Sequence, residues 1–238
     1  MKPRLLVVGD SFHAEDQTPK YRNTHWSELL NSDFEVTNYA IPGASNTGIL
    51  SQLLEGLKIN PDYIFLGFTD CYRTDFSFAP GQDPFYKKLT YRWFTSCNKE
   101  YQTQEHKDCI EYYNKLAHTP AQDFAAMSVA AKALEIACEN SKAIAWSRTV
   151  LQIPTNDAVY RMFYRTESKK FFKTYGDDVD KLFFEKYYSL ETETNLQKIW
   201  IENFKNHDQL KLPTYHCPGQ YQQDYAEEVK QRLLCQKY

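Results

Sequence analysis

The sequence predicts an α/β protein, a three-layer α/β/α sandwich built on a short parallel sheet. Three observations predict it. Short apolar segments alternate along the chain with segments of helical periodicity. The first and third apolar segments are continuously apolar, as in parallel strands buried on both faces. Each of these two ends at a glycine-containing polar block, where a parallel strand would turn into its crossover.

The first third of the chain supplies three strands and two helices. Apolar or alternating segments predict strands at residues 5–8, 34–39 and 63–66. Helical spacing of apolar residues predicts a short helix over 24–30. A second helix runs to about Leu57, and either Ser45 or Asn46 can cap its N-terminus.

The remainder of the chain adds a fourth strand and two longer helices. Thr119 and Pro120 begin a helix that runs through about Glu139, and residues 143–146 form the fourth strand. A terminal helix covers 220–236. Without repeats or low-complexity linkers, we expect a single domain over 1–238. Its inserted segments are a region of short helices and loops at about 71–118 and a helical insertion at about 155–205.

Composition excludes several classes of function. Thirty-one acidic and 28 basic residues give a net charge of −3, so no global positive field would attract nucleic acid or an anionic membrane. No apolar run approaches the roughly 20 residues of a membrane span, and the apolar start is too short for a signal peptide. The six cysteines lack paired spacing, so we expect reduced thiols, a cytoplasmic location, and neither metal nor cofactor.

Candidate functional groups follow the predicted strands. Ligands of open α/β sheets bind at the carboxyl ends of strands. Four blocks lie at such ends or just before the terminal helix: Gly9-Asp10-Ser11, the glycine block around Gly43, Gly67-Phe68-Thr69-Asp70, and His216. The serine hydroxyl of the first block is a candidate nucleophile, and the glycines can present backbone N–H groups.

These four blocks, in this order, resemble the SGNH, or GDSL-type, hydrolase family. Phage-encoded members look closest, because their third block often reads Gly-Phe-Thr or Gly-Trp-Thr. The resemblance implies a flavodoxin-like three-layer fold for the sheet and covers neither insertion. It also implies that Ser11 attacks an ester carbonyl, that His216 is the base, and that the N–H groups of Ser11 and Gly43 stabilise the oxyanion.

The chain departs from the family pattern at two positions. Thr69 stands in the place of the third-block asparagine, which donates to the oxyanion in the family; Asn46 is a possible substitute donor. Pro213 stands where the family has an aspartate three residues before the histidine. Asp208 is the nearest upstream acid. The alternatives are that a backbone carbonyl orients His216, which would give a Ser-His dyad, or that Ser11 is only weakly activated.

Other residues near the blocks have competing interpretations. We expect Asp10 to cap its own turn, with a hydrogen bond across the site as well. Gly9 would allow a sharp turn, and conformational need is one explanation for Gly43 and Gly67. His13 is expected to pack, although it lies close enough to Ser11 to reach a substrate. Arg73 either lines the pocket, where it would bind a carboxylate or phosphate, or packs.

The sequence leaves two function classes open. The first is metal-independent hydrolysis of a carboxylic ester, such as an O-acetyl group on a carbohydrate or another small molecule. The second is a non-catalytic binding or structural protein that kept the fold, which the missing aspartate and asparagine favour. A nucleotide-binding function is disfavoured, because neither Gly-x-Gly-x-x-Gly nor a phosphate-loop sequence follows the first strand.

Overall fold

A computed structural model describes residues 1–15, 24–42, 44–69, 75–78, 92–95, 120–147, 174–175, 177–179, 181–182 and 220–235. The strands are β1 (Arg4–Val8), β2 (Glu35–Asn38), β3 (Tyr63–Phe68), β4 (Asp75–Phe78), β5 (Arg92–Thr95) and β6 (Lys142–Ser147). The α-helices are α1 (Trp26–Leu29), α2 (Asn46–Gly56), α3 (Pro120–Ala137) and α4 (Gln220–Cys235). A turn of 3-10 helix follows α1 at Leu30–Ser32, and another follows α2 at Leu57–Ile59. Within these ranges no helix combines the length and apolar character needed to cross a membrane.

The main sheet has the strand order β2-β1-β3-β6, with every neighbouring pair parallel. In register, Leu6 of β1 lies beside Thr37 of β2 and Ile64 of β3. The apolar residues of β1 from Leu5 to Val8 are fully buried, as expected for a strand covered on both faces. The predicted α/β fold class is therefore confirmed.

Helices cover both faces of this sheet. On one face α2 packs so closely that a Cβ added at Gly56 would stand 2.6 Å from Leu6 Cδ2. On the other face Phe65 contacts Trp26 of α1 and Tyr225 of α4, with ring centroids 4.8 and 6.4 Å apart. Leu6 pairs with Ile64, the residue before Phe65, and successive side chains of a strand point to opposite faces. Leu6 and Phe65 therefore point to opposite faces of the sheet. The result is the predicted three-layer arrangement.

Local capping fixes where the first two helices begin. His25 caps α1: its side chain accepts from the Ser27 N–H, and Glu28 accepts in return from the His25 N–H at 3.1 Å. Ser45, rather than Asn46, caps α2, because its hydroxyl accepts from the Gly48 N–H at 3.3 Å. Of the two capping residues that the sequence allowed, the structure selects Ser45.

The third strand is longer than predicted and the region after it differs from prediction. β3 continues to Phe68 because β6 pairs with it along its whole length, ending at Phe68 beside Ser147. The expectation of short helices and loops over 71–118 is wrong at 75–78 and 92–95, which form an antiparallel pair. Strands of four residues are too short for alternation to stand out from an aromatic-rich sequence.

Part of the predicted helical insertion at 155–205 lies among the described residues. Positions 174–175, 177–179 and 181–182 are helical, in agreement with the prediction. Tyr175 stacks on Phe124 of α3 with ring centroids 4.6 Å apart and planes 8° apart, and Val179 is fully buried. The other residues of this insertion lie outside the described ranges, and the single-domain organisation remains a prediction.

Candidate active site

The turn after β1 places Ser11 at the carboxyl edge of the sheet. The N–H groups of His13 and Ala14 both donate to the Asp10 carbonyl at 3.0 Å, and the Phe12 N–H donates to Asp10 Oδ1 at 3.1 Å. The predicted turn-capping role of Asp10 is thus confirmed. Asp10, His13 and Ala14 are buried, whereas Ser11 is partly exposed. A fixed turn therefore presents one serine to solvent.

Side chains from α1 and β2 hold the backbone of this turn. The Phe12 carbonyl accepts from Trp26 Nε1 and His25 Nε2, each at 3.2 Å. The His13 carbonyl accepts from Asn38 Nδ2 at 2.7 Å. Buried backbone carbonyls need such partners, because an unsatisfied one costs about 1–3 kcal/mol. These bonds fix the chain on the carboxyl side of Ser11.

A chain of buried polar side chains joins Asp10 to three other elements. Thr69 Oγ1, just after β3, donates to Asp10 Oδ2 at 2.7 Å. The Asn46 side chain at the start of α2 makes two hydrogen bonds with the Thr69 backbone: its Oδ1 accepts from the Thr69 N–H at 2.9 Å and its Nδ2 donates to the Thr69 carbonyl at 3.1 Å. Asn46 Nδ2 also donates to Asp123 Oδ1 of α3 at 2.8 Å. All four side chains are buried.

These hydrogen bonds give the Thr69 and Asn46 side chains a role that differs from the oxyanion role expected for them. The Thr69 hydroxyl donates its hydrogen to Asp10, and the Asn46 amide donates to Thr69 and Asp123. Either side chain would have to give up a buried, charge-assisted bond before it could donate to a substrate. Both residues therefore act in this structure as cross-links. The hydrogen bond expected from Asp10 across the site is confirmed, with Thr69 as its partner.

Gly9 and Gly67 are required by close packing rather than by a sharp turn. Neither has a left-handed φ. A Cβ added at Gly9 would stand 2.6 Å from His13 Cγ, and one added at Gly67 would stand 2.6 Å from His13 Nε2. Such separations are far inside the roughly 3.5–4.0 Å of ordinary carbon contacts. The sharp turn expected for Gly9 is therefore wrong, and conformational need, which was left open for Gly67, does not explain that glycine; both glycines make room for the His13 ring.

His13 itself is a packing histidine. It is fully buried, with ring centroids 5.2 Å from Phe65 and 6.3 Å from Trp26. Its Nδ1 lies 3.3 Å from Asp10 Oδ1, which is also fully buried. The expectation that it packs is confirmed. The other interpretation of His13, direct contact with a substrate, does not fit a side chain that solvent does not reach.

Three residues that support the site were hardly indicated by the sequence pattern. Gln52 lies on the buried face of α2, and its Oε1 accepts from the Gly9 N–H at 2.8 Å. Asp123 lies in the first turn of α3, where an acid is common, and Trp26 is one of the apolar residues of the helix predicted over 24–30. An amide set among the apolar residues of one helical face, as Gln52 is between Ile49 and Leu53, is the signal that could have identified the first.

The remaining predicted site residues, Gly43, Arg73, Asp208 and His216, lie outside the described residues. The helix that follows His216 is described, however, and it is fixed beside the Ser11 turn. Gln222 Oε1 accepts from the Trp26 backbone N–H at 2.7 Å. The Tyr225 ring packs against the Trp26 indole, with ring centroids 5.2 Å apart. Trp26 thus contacts α4 through its backbone and ring, and the Ser11 turn through its indole N–H.

An ion pair fixes α4 further along its length. Lys230 Nζ lies 2.8 Å from Asp33 Oδ1, in the bend before β2. The hydrogen bond from Lys230, assisted by one from Ser32, lowers the pKa of Asp33 below its usual 3.8. The same bond raises the pKa of Lys230. Among the side chains that the structure describes, no group of three or more His, Cys, Asp or Glu residues is placed to hold a metal ion.

Comparison with known proteins supports the fold. No protein-family model and no curated protein matches the chain. The crystal structure of TesA is 17% identical, with 97% of each chain covered and a TM-score of 0.51. A member of the lipolytic protein G-D-S-L family from Veillonella parvula is 13% identical, with 98% of this chain and 99% of that chain covered and a TM-score of 0.45. The likeness to TesA confirms the fold that the SGNH resemblance implied, and at this identity it extends to the fold alone.

Proposed function

We propose that this chain is a metal-independent serine hydrolase of carboxylic esters, with Ser11 as nucleophile and His216 as base. One observation carries the proposal. The sheet order β2-β1-β3-β6 puts the topological switch point between β1 and β3, where open α/β sheets bind their ligands. Ser11 follows β1 at this point and is partly exposed, while the residues that hold its turn are buried.

The chemistry requires a base, donors for the oxyanion and a leaving alcohol. His216 would take the Ser11 proton as Oγ attacks the ester carbonyl, and would return it to the alcohol as the acyl–oxygen bond breaks. Water, activated in the same way, would then release the acid and restore the serine. We assign the oxyanion to the backbone N–H groups of Ser11 and Gly43. Losing one such donor costs about 2.7–4 kcal/mol of transition-state stabilisation.

The docking of α4 supports His216 as the base. His216 precedes Gln220, the first residue of α4, by four residues, which span at most roughly 14 Å when extended. Gln222, two residues into the helix, bonds Trp26, whose indole in turn bonds the Phe12 carbonyl next to Ser11. We further propose Asp208 as the group that orients His216, with a backbone carbonyl as the alternative.

The substrate that we propose is a short acyl ester, such as an O-acetyl group on a carbohydrate. Arg73, a few residues after the third block, would bind an anionic group of such a substrate through its planar guanidinium. This assignment rests on the sequence around the third block. A panel of acetylated sugars and longer acyl esters would test it by the ratio of their kcat/KM values.

A fluorophosphonate probe tests the nucleophile. The intact protein should be labelled on the peptide that contains Ser11, and Ser11→Ala should abolish both labelling and hydrolysis of 4-nitrophenyl acetate. Ser51→Ala is the matched control, because that serine lies on α2, where its hydroxyl bonds the Thr47 carbonyl. It should retain full labelling. Labelling that persists in Ser11→Ala, or that never occurs in the folded protein, would remove the enzyme proposal.

The second candidate is a binding or structural protein that kept this fold. The observation that favours it is the use of the Thr69 and Asn46 side chains as internal cross-links, which leaves the oxyanion to backbone donors. A folded protein that binds an acetylated carbohydrate and resists the probe over a wide pH range would support this candidate.

A further inference from the structure

A slot in the sheet holds the His13 ring. Gly9 continues β1 and Gly67 lies in β3, directly after the paired residues Val8 and Leu66, so the two glycines are neighbours across adjacent strands. Each would place a Cβ 2.6 Å from an atom of the His13 ring if it were any other residue. Two adjacent glycines thus remove both Cβ atoms from one patch of the sheet, and the imidazole occupies that space.

Two aromatic rings also contact the imidazole. Phe65 and Trp26 pack on it with ring centroids 5.2 and 6.3 Å away. From this position Nδ1 lies 3.3 Å from Asp10 Oδ1, the same oxygen that accepts from the Phe12 N–H. The ring therefore restricts where the Asp10 carboxylate can lie, together with the hydrogen bonds from the Phe12 N–H and Thr69 Oγ1.

We infer that His13 is a positioning residue for the nucleophile, acting through Asp10. Ser11 lies between Asp10 and Phe12, and the Asp10 carboxylate closes the turn over it by accepting the Phe12 N–H. A shift of the imidazole would move this carboxylate, and with it the directions of the Ser11 N–H and Oγ. The His13 side chain is fully buried, so a substrate would not contact it and its effect would be exerted through Asp10. The inference rests on the proposed role of Ser11.

Two glycine variants separate positioning from simple loss of stability. Gly67→Ala would force the His13 ring out of the slot. Gly56→Ala introduces a matched clash, since its Cβ would stand 2.6 Å from Leu6 Cδ2 on the opposite face of the sheet, away from the Ser11 turn. The assay is fluorophosphonate labelling of Ser11 at a temperature where both variants are folded. Labelling rates at several probe concentrations give the maximal rate and the half-saturating probe concentration separately.

Gly67→Ala should lower the maximal labelling rate about tenfold, equivalent to roughly 1.4 kcal/mol, with little change in the half-saturating concentration. Gly56→Ala should stay within about twofold of the wild type, a difference of roughly 0.4 kcal/mol. Adding His13→Asn to Gly67→Ala should recover much of the rate, because asparagine is smaller than histidine and would place an amide N–H beside Asp10. Adding His13→Leu to Gly67→Ala should not rescue the rate, because leucine carries no N–H group.

Amide hydrogen exchange provides a readout that does not depend on activity. Gly67→Ala should speed exchange at the Phe12, His13 and Ala14 amides, whose acceptors all belong to Asp10. Gly56→Ala should leave these amides protected. If the wild-type protein never reacts with the probe, the esterase proposal fails. Hydrogen exchange then still tests whether the His13 ring holds the Asp10 turn in place. Equal effects of the two alanines on labelling, or unchanged exchange in Gly67→Ala, would overturn the inference.

Discussion

Removing the Thr69 hydroxyl should destabilise the protein through Asp10. Thr69→Val keeps the shape of the side chain and deletes the donor that lies 2.7 Å from Asp10 Oδ2, where both residues are fully buried. Hydrogen bonds to charged groups contribute about 1.5–3 kcal/mol, and the buried carboxylate oxygen would lose this donor. We therefore expect the free energy of unfolding to fall by about 2 kcal/mol, measured by urea denaturation with an unchanged m value.

Thr69→Ser and a double-mutant cycle make this prediction specific. The serine keeps the hydroxyl and loses one methyl group, which should cost about 0.8 kcal/mol. In an Asp10→Ala background, Thr69→Val should cost little, so the coupling between the two sites should be about 2 kcal/mol. The reasoning would be refuted if Thr69→Val were as stable as Thr69→Ser, or if the coupling were close to zero.

The remaining predictions concern the cross-link and the docking of α4. Asn46→Ala deletes three buried hydrogen bonds and should cost at least about 3 kcal/mol of unfolding free energy by urea denaturation. Gln222→Ala should cost about 1 kcal/mol, because it removes the acceptor for the first N–H of α1, whereas its exposed neighbour Gln223→Ala should change little. Lys230→Met should remove a small stabilisation that the wild type has above pH 3.8, the ordinary pKa of Asp33. Because the folded-state pKa is lower, this advantage is lost as pH falls through that lower value, and high salt should reduce it. Melting curves for both proteins at several pH values test this prediction. A difference in melting temperature that is absent at neutral pH, or that persists unchanged at acid pH, would contradict it.

The central sheet could be predicted from sequence because its signals are local. Continuously apolar runs such as 63–66 and helices with a clear apolar stripe identify buried parallel strands and their crossovers without knowledge of distant contacts. The end of β3 and the pair formed by 75–78 and 92–95 were not predicted. Strand ends depend on the partner strand, and pairing between short strands is a tertiary property.

The position of Ser11 after β1 was predicted, and the hydrogen bonds that surround its turn were not. Ser11 follows from a strand, a polar turn and the sheet topology, all of which the sequence displays. The cross-link of Asn46 to Thr69 and Asp123 joins residues far apart in the chain, and no local pattern reports which polar groups face one another. The two glycines around His13 could not be distinguished from turn glycines, since both needs select the same residue.

A crystal structure of the phosphonylated protein would test the account most directly. It should show phosphorus bonded to Ser11 Oγ and a phosphoryl oxygen accepting from the backbone N–H groups of Ser11 and Gly43. A ring nitrogen of His216 should lie within hydrogen-bonding distance, about 2.6–3.2 Å, of an oxygen on the phosphorus or of Oγ. Phosphorus on another residue, or a His216 ring directed away from Ser11, would contradict the proposed mechanism.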